Sequence, residues 1–240
     1  MTISRVFCDR AVNEGDELQL DADQAHHLFV VLRLKDGATV EVVSKAALYS
    51  AAVTSAAAAI VKITKLLISS KPTSRVHTVY FALTKGDHND LVIEKCTELG
   101  VSEICLWSAE RSVVKFEPHK MASKVDRFVK IARSAAEQSK RLSIPNVRIS
   151  RFDEIINRNF MARPMIVMSL EDDAPPIAKL SINSDRCDII VGPEGDFSPA
   201  EFKALYSIGA TKASLGSMIL RSETAAIAGV AAINACLGLK

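Results

Sequence analysis

Two rhythms of apolar and polar positions divide the chain. Over residues 1–72 the apolar positions come in short runs: Arg5-Val6-Phe7-Cys8, Glu17-Leu18-Gln19-Leu20 and Thr39-Val40-Glu41-Val42-Val43. Turn residues Asn13, Gly15 and Gly37 lie between them, and such runs predict strands. Asp21 or Asp23 is placed to cap a helix from about Ala22 to Leu32. The stretch from Ala46 to Ile60 is ambiguous, because its alanines favour helix while its Val, Thr and Tyr residues favour strand and no cap is present. Strands at about Tyr49–Thr54 and Ile60–Leu66 are the reading adopted. Ser69-Ser70-Lys71-Pro72-Thr73-Ser74, small, polar and broken by Pro, reads as a linker.

Beyond the linker the rhythm becomes strand, then helix, repeated. Strands are predicted at Val76–Leu83, Ile104–Trp107, Pro164–Leu170, Cys187–Val191 and Lys212–Leu215. A helix at Asn89–Leu99 closes on Gly100, and a long one starts near Pro118 and reaches about Lys140. Along the long helix Met121, Val125, Phe128, Ala132 and Ala135 form an apolar stripe, with Lys120, Lys124 and Arg127 beside it. Ser198-Pro199-Ala200-Glu201 is a capping box that starts another helix, and small residues from Ser222 to about Gly238 form the last. Alternating βα units predict an α/β domain with a largely parallel sheet. The layout is a small β domain, 1–72, followed by an α/β domain, 73–240.

Composition narrows the class. With 240 residues, 48% hydrophobic and 24% charged, the chain is too apolar for disorder and large enough for a real core. No apolar run reaches a membrane-spanning length, and charges at Arg5, Asp9, Arg10, Glu14 and Asp16 interrupt any signal-peptide core, so a cytoplasmic protein is expected. Five scattered cysteines (Cys8, Cys96, Cys105, Cys187, Cys236) read as buried free thiols, and no metal is expected. The net charge of +2 hides an asymmetry. Arg111 to Arg151 holds eleven Lys and Arg against three acids, and Phe152 to Phe202 holds four against ten. A basic block beside an acidic one suggests a face for a polyanion, although a charged helix facing water gives the same pattern.

Two segments follow predicted strands and carry the candidate chemistry. In one, the strand Ile189-Ile190-Val191 runs into Gly192-Pro193-Glu194-Gly195-Asp196-Phe197-Ser198. In the other, Leu215-Gly216 leads through Ser217-Met218-Ile219-Leu220 to Arg221, Ser222, Glu223 and Thr224 at a helix start. Neither is a P-loop or a dinucleotide fingerprint. Ligands of open α/β sheets sit at the carboxyl ends of strands. Loops rich in main-chain polar groups and apolar side chains suit a flat heterocycle there.

These segments resemble the RsmE family, SPOUT-class methyltransferases of 16S ribosomal RNA. The resemblance extends to His26-His27-Leu28 with Val31-Leu32-Arg33, to Glu94-Lys95-Cys96-Thr97-Glu98-Leu99-Gly100-Val101, to Glu110-Arg111-Ser112, and to Ala136-Glu137-Gln138-Ser139-Lys140-Arg141 with Ile144-Pro145. It implies a PUA-like β-barrel RNA-binding domain followed by a SPOUT α/β domain with a trefoil knot. It also implies S-adenosylmethionine as methyl donor, a homodimer, and N3 of a uridine in small-subunit 16S rRNA as the target. The cofactor-binding candidates are Leu170, Val191, Gly192, Pro193, Glu194, Gly195, Leu215, Gly216, Ile219 and Leu220. Arg221 and Glu223 are the catalytic candidates, the cation for the anion that uridine N3 forms, and a carboxylate to accept its proton; Glu194 is an alternative acceptor. The phosphate-contact candidates are Arg5, Arg33, Lys85, Arg111, Lys115, Lys124, Arg127, Arg133, Lys140 and Arg141. Three departures stand out: Gly195-Asp196 replaces the family's usual glycine pair, Met218 stands where many members carry Arg, and Ala46–Ala59 reads as a poorly packed barrel edge. The first two keep open a non-catalytic RNA-binding or ribosome-assembly factor on the same fold; a methyltransferase for another RNA position also remains open.

Overall fold

In the carboxyl-terminal part Val79–Leu83, Met165–Met168 and Ile189–Val191 read as unbroken apolar runs, the pattern of strands covered on both faces. The computed structural model describes residues 3–69, 76–112, 118–157, 163–171, 173–182, 184 and 186–237. The chain divides into two units, Met1–Pro72 with Ala136–Ser143, and Thr73–Ala135 with Ile144–Lys240. The short segment Ala136–Ser143 thus groups with the first unit, where the sequence layout kept it in the second. Most of the expected linker lies outside the described residues.

In the first unit β1 (Arg5–Cys8), β2 (Glu17–Gln19), β3 (Thr39–Ser44), β4 (Ala47–Ser55) and β5 (Ile60–Ser69) form a five-stranded sheet in the order β1-β3-β4-β5-β2. β1 runs parallel to β3 and the other pairs are antiparallel. Val40, Val42, Ala51, Val53, Val61 and Ile63 bury one set of alternating positions together with Leu28. The alanine-rich stretch is therefore not an edge. β4 is paired on both sides, and Ala51 is fully buried, so ladder pairing and burial outweigh the helix propensity of alanine. The helix expected from Ala22 to Leu32 is a single turn, α1 (Ala22–Ala25), capped by Asp21, that widens into a π-helix over His26–Val31.

The second unit contains β6 (Val76–Ala82), α2 (His88–Glu98), β7 (Glu103–Ser108), α3 (Pro118–Gln138), β8 (Asn146–Arg151) and α4 (Phe152–Ile156). It continues with β9 (Met165–Met168), β10 (Cys187–Val191), α5 (Pro199–Ser207), β11 (Thr211–Ala213) and α6 (Ser222–Leu237). Its six strands are all parallel, in the order β11-β9-β10-β6-β7-β8. Val79, Phe81, Leu106, Ile189 and Val191 pack with Ile93 of α2, Phe128 of α3 and Val230 of α6. The intervening Tyr80, Cys105, Trp107 and Ile190 pack with Ile155 of α4 and Leu205 of α5. This is an α/β fold with one mixed and one parallel sheet. The sequence reading did not anticipate β8 or α4. Among the cysteines, Cys236 is exposed rather than buried, and Cys8 is half-buried. No helix among the described residues is long and apolar enough to cross a membrane.

Candidate active site

β11, β9 and β10 lie side by side, so the three loops leaving their carboxyl ends open at one edge of the sheet. The two sequence-predicted loops do not leave adjacent strands. Instead β9 separates them, because the chain returns after α5 to place β11 on the far side of β9. Three walls therefore enclose a cavity of about 270 Å3. Met168, Ser169 and Leu170 form the middle wall. Val191, Gly192, Pro193, Glu194 and Asp196 form the second. Ala213 to Gly216 and Met218 to Ser222, with Ala225, form the third. Every cofactor-binding candidate lines it except Gly195.

Local chemistry fixes the second wall. The Pro193 carbonyl accepts the Asp196 N–H at 3.0 Å, closing a turn, and Asp196 takes a φ of +57°. That left-handed region suits Gly, and Asp is among the side chains that tolerate it. Asp196 Oδ1 accepts the Phe197 N–H at 2.8 Å. Burial pushes the Asp196 carboxyl above its ordinary value. Gly192 makes room for packing within the loop, since a Cβ there would stand 3.0 Å from the Phe197 ring. Phe197 is buried and stacks on Trp107 with centroids 5.8 Å apart. Gly195 lies outside the cavity wall against Arg111, whose Nη1 donates to the Gly195 and Phe197 carbonyls at 3.1 and 3.3 Å. Glu201, in the capping box with Ser198, also accepts the Glu110 N–H at 2.8 Å.

The third wall is pinned by its backbone. Ser214 donates to the Pro175 carbonyl at 2.8 Å and accepts from the Ile177 N–H at 2.9 Å. Gly216 has a φ of +129° and nothing near its missing Cβ, so its conformation rather than space requires glycine. Leu170, Met218 and Ile219 are exposed by 55, 74 and 84% and form an apolar rim on the cavity. Gly229 of α6 lets that helix approach Met168, whose Sδ would stand 3.0 Å from a Cβ there. Behind the middle wall, the Tyr206 hydroxyl donates to Glu171, Lys212 pairs with Glu171 at 3.4 Å and also with Asp173, and Ser169 Oγ lies 3.4 Å from Glu171. Burial, then the Glu171 contact, push the Tyr206 hydroxyl above its ordinary range. This cluster and Met168 were not read from the sequence as site residues, and Asp196 was read only as a departure from the family's glycine pair. Met168, Ser169 and Glu171 adjoin Leu170 at the end of β9, and that was the available signal.

Arg221 lines the cavity and is exposed, whereas Glu223 does not line it. Glu223 is buried with Oε1 3.2 Å from His88 Nδ1. The phosphate-contact candidates separate as well. Arg5 is buried in an ion pair with Glu41 at 2.8 Å and donates to the Lys140 and Arg141 carbonyls. Lys140 donates to the Ile3 carbonyl and stands 3.6 Å from Glu41. Arg127 is exposed but holds Asp90 through two hydrogen bonds. Burial lowers the Arg141 guanidinium to about 10. These arginines and lysines meet protein partners because a carbonyl or carboxylate stands within reach, which charge counting along a sequence does not reveal. Arg33 and Lys85 are exposed, Lys124 and Arg133 are half-buried, and Lys115 lies outside the described residues. Among the described residues no group of three His, Cys, Asp or Glu side chains is arranged to hold a metal ion.

Residues 71–234 match the family model of the RNA methyltransferase domain. The chain is similar to ribosomal RNA small subunit methyltransferase E of Bacillus subtilis (strain 168), at 29% identity over 93% of this chain and 91% of that protein. The protein of the same name from Rickettsia conorii is 30% identical over 98% and 96%. Among solved structures, ribosomal RNA small subunit methyltransferase E of Neisseria gonorrhoeae bound to S-adenosylmethionine superposes with a TM-score of 0.88 at 25% identity, covering 98% of both chains. A Legionella pneumophila protein in complex with the same cofactor gives 0.89 at 26% identity, again over 98% of both.

Proposed function

The chain belongs to the RNA methyltransferase domain family, within its small-subunit methyltransferase E group, and from that premise we propose that it methylates N3 of one uridine in 16S rRNA with S-adenosylmethionine as donor. The observation that carries this reading is the cavity at the ends of β9, β10 and β11, with apolar walls, converging main-chain groups and one arginine at its edge. Those walls fit an adenosine. Leu170, Val191, Pro193, Leu215 and Leu220 offer apolar faces to a flat ring, while the main chain at Glu194 and Leu215 offers N–H and C=O groups to its edge. When bound, the donor supplies a methyl group activated by a sulfonium.

The chain's own residues position the acceptor and steady its charge. Uridine N3 loses its proton before or during attack, and negative charge spreads to the flanking oxygens. Arg221 faces that charge from the start of α6. Of the two glutamates read as proton acceptors, Glu194 lines the cavity, and Glu223 serves to hold the helix start against His88. The target atom lies on the Watson–Crick edge, so the base reacts unpaired or turned out. The exposed Arg33 and Lys85 are suited to phosphate.

The resemblance further supports reading the first unit as a PUA-like RNA-binding module and the second as a SPOUT-type trefoil-knot domain, acting as a homodimer in the cytoplasm. Ala226, Val230 and Ile233 of α6 are buried in the unit's own core, while Ala231 and Ala235 lie exposed as a small-residue face for a second subunit. Incubation with unmodified small subunits and methyl-labelled donor tests the reading. One labelled uridine that stops reverse transcription, because N3-methylation blocks pairing, is the expected result. Donor binding without transfer to any RNA would leave a binding factor instead.

A further inference from the structure

We propose that Asp196 is a specificity-determining residue of this cavity, giving it a preference for the sulfonium donor over the uncharged-sulfur product. The inference rests on the donor reading above. Asp196 lines the cavity, is half-buried, and makes no ion pair among the described residues. Its carboxylate is held in place, because Oδ1 accepts the next residue's N–H at 2.8 Å within the Pro193–Asp196 turn. Two further carboxylates, Glu171 and Glu201, act on it with like charge. Among the described residues the one cation acting on it, Arg111, spends its Nη1 on the Gly195 and Phe197 carbonyls. A carboxylate fixed in a largely apolar wall without a close counter-ion is costly until a cation arrives.

The reaction supplies a cation at one end only. Methyl transfer breaks the sulfur–methyl bond and forms the bond to N3. The bonding pair stays on sulfur, whose charge falls from +1 to zero, and the N3 proton leaves to solvent. The adenine, ribose, ammonium and carboxylate groups are the same in donor and product. A sulfonium carries no N–H, so charge rather than hydrogen bonding is the means of recognising it. A negative group beside the sulfur therefore holds donor and releases product, whereas one beside the ammonium holds both equally.

Calorimetric titration of S-adenosylmethionine and S-adenosylhomocysteine into the wild type, Asp196→Asn and Asp196→Gly tests this. Both replacements suit a positive φ, so the turn is retained. Loss of the charge is expected to weaken the donor about three- to tenfold, as for a partly exposed ion pair, and to leave the product within about twofold. Equal weakening of both ligands, or of neither, overturns the inference while leaving the donor site intact. Failure of the wild type to bind the donor overturns the reading beneath it. If Asp196→Asn does not fold, the glycine variant decides.

Discussion

His88 Nδ1 stands 3.2 Å from Glu223 Oε1, and this contact separates two residues that the sequence places side by side as catalytic. Glu223 is buried and tied to the first turn of α2, whereas Arg221 lines the cavity and, among the described residues, makes no ion pair. Arg221→Ala is expected to lower kcat by about 10²–10³-fold, the cost of one missing anion donor, and to change donor affinity little. Glu223→Gln is expected to cost about 1 kcal/mol of stability through the lost charge-assisted contact. A double-mutant cycle with His88→Ala is expected to show about 0.5–1 kcal/mol of coupling. Single-turnover kinetics and urea denaturation measure the two effects; wild-type kcat in Arg221→Ala would remove that residue from the mechanism.

Arg111 bridges carbonyls of the second wall, and its expected loss phenotype follows from that geometry. Removing the guanidinium frees the Gly195 and Phe197 carbonyls and loosens the turn that carries Asp196. Arg111→Ala is expected to raise the donor's KM by about tenfold, equivalent to about 1–1.5 kcal/mol for the lost hydrogen bonds. The salt dependence of RNA binding is expected to stay unchanged. A salt slope lower by about 1 would instead make Arg111 a phosphate contact.

The two site loops were legible because β10 is an apolar run that ends at Gly192, Gly216 lies three residues beyond β11, and Ser198 with Glu201 announces the helix beyond the first loop. Sheet order was not. Nothing local tells that β11 returns to the far side of β9, so the middle wall from Met168 to Leu170 was credited only with Leu170. β8 and α4 were missed because Asn146–Arg151 carries only alternating Val and Ile among polar residues, and α4 is five residues long. Charge counting read Arg5, Arg127 and Lys140 as phosphate contacts, although Glu41, Asp90 and nearby carbonyls occupy them. Side-chain partners distant in sequence carry no local signal.

The hairpin joining β3 to β4 turns on Lys45 and Ala46, with φ values of +48° and +63°. Two-residue turns of this hand favour Asn-Gly, because a side chain in the left-handed region costs about 1–2 kcal/mol. Ala46→Gly is therefore expected to stabilise the protein by up to about 1 kcal/mol after the added freedom of the unfolded chain is counted. Thermal unfolding checks this, and a lower Tm would mean that the turn is not strained.

Arg5 was a phosphate-contact candidate, but its buried pairing with Glu41 and two carbonyls makes it structural. Arg5→Met leaves Glu41 with Lys140 alone, at 3.6 Å, and leaves those carbonyls without the guanidinium. A loss of about 3–5 kcal/mol is expected from breaking a buried pair, somewhat less here because Glu41 is partly exposed. Denaturant unfolding measures it. A variant of unchanged stability that binds RNA more weakly would return Arg5 to the RNA surface.

Asp188 gives stability a predictable pH dependence. Its carboxylate is fully buried, accepts the Thr78 N–H at 3.0 Å and lies 3.3 Å from Arg163 Nε. Burial nonetheless raises its pKa above the ordinary 3.8, against the pull of Arg163 and His77. Between 3.8 and the raised native value the folded state binds more protons than the unfolded chain. Stability from this group therefore falls as pH rises through that window, is fully present below 3.8, and becomes a penalty at neutral pH. Asp188→Asn keeps an acceptor for Thr78 and cannot ionise. Relative to that variant, the wild type is expected to gain stability as pH falls from neutral into the window and to level off below it. Denaturation midpoints of the two proteins from pH 7 to pH 4 would separate in that direction; parallel curves would show that Asp188 keeps an ordinary pKa.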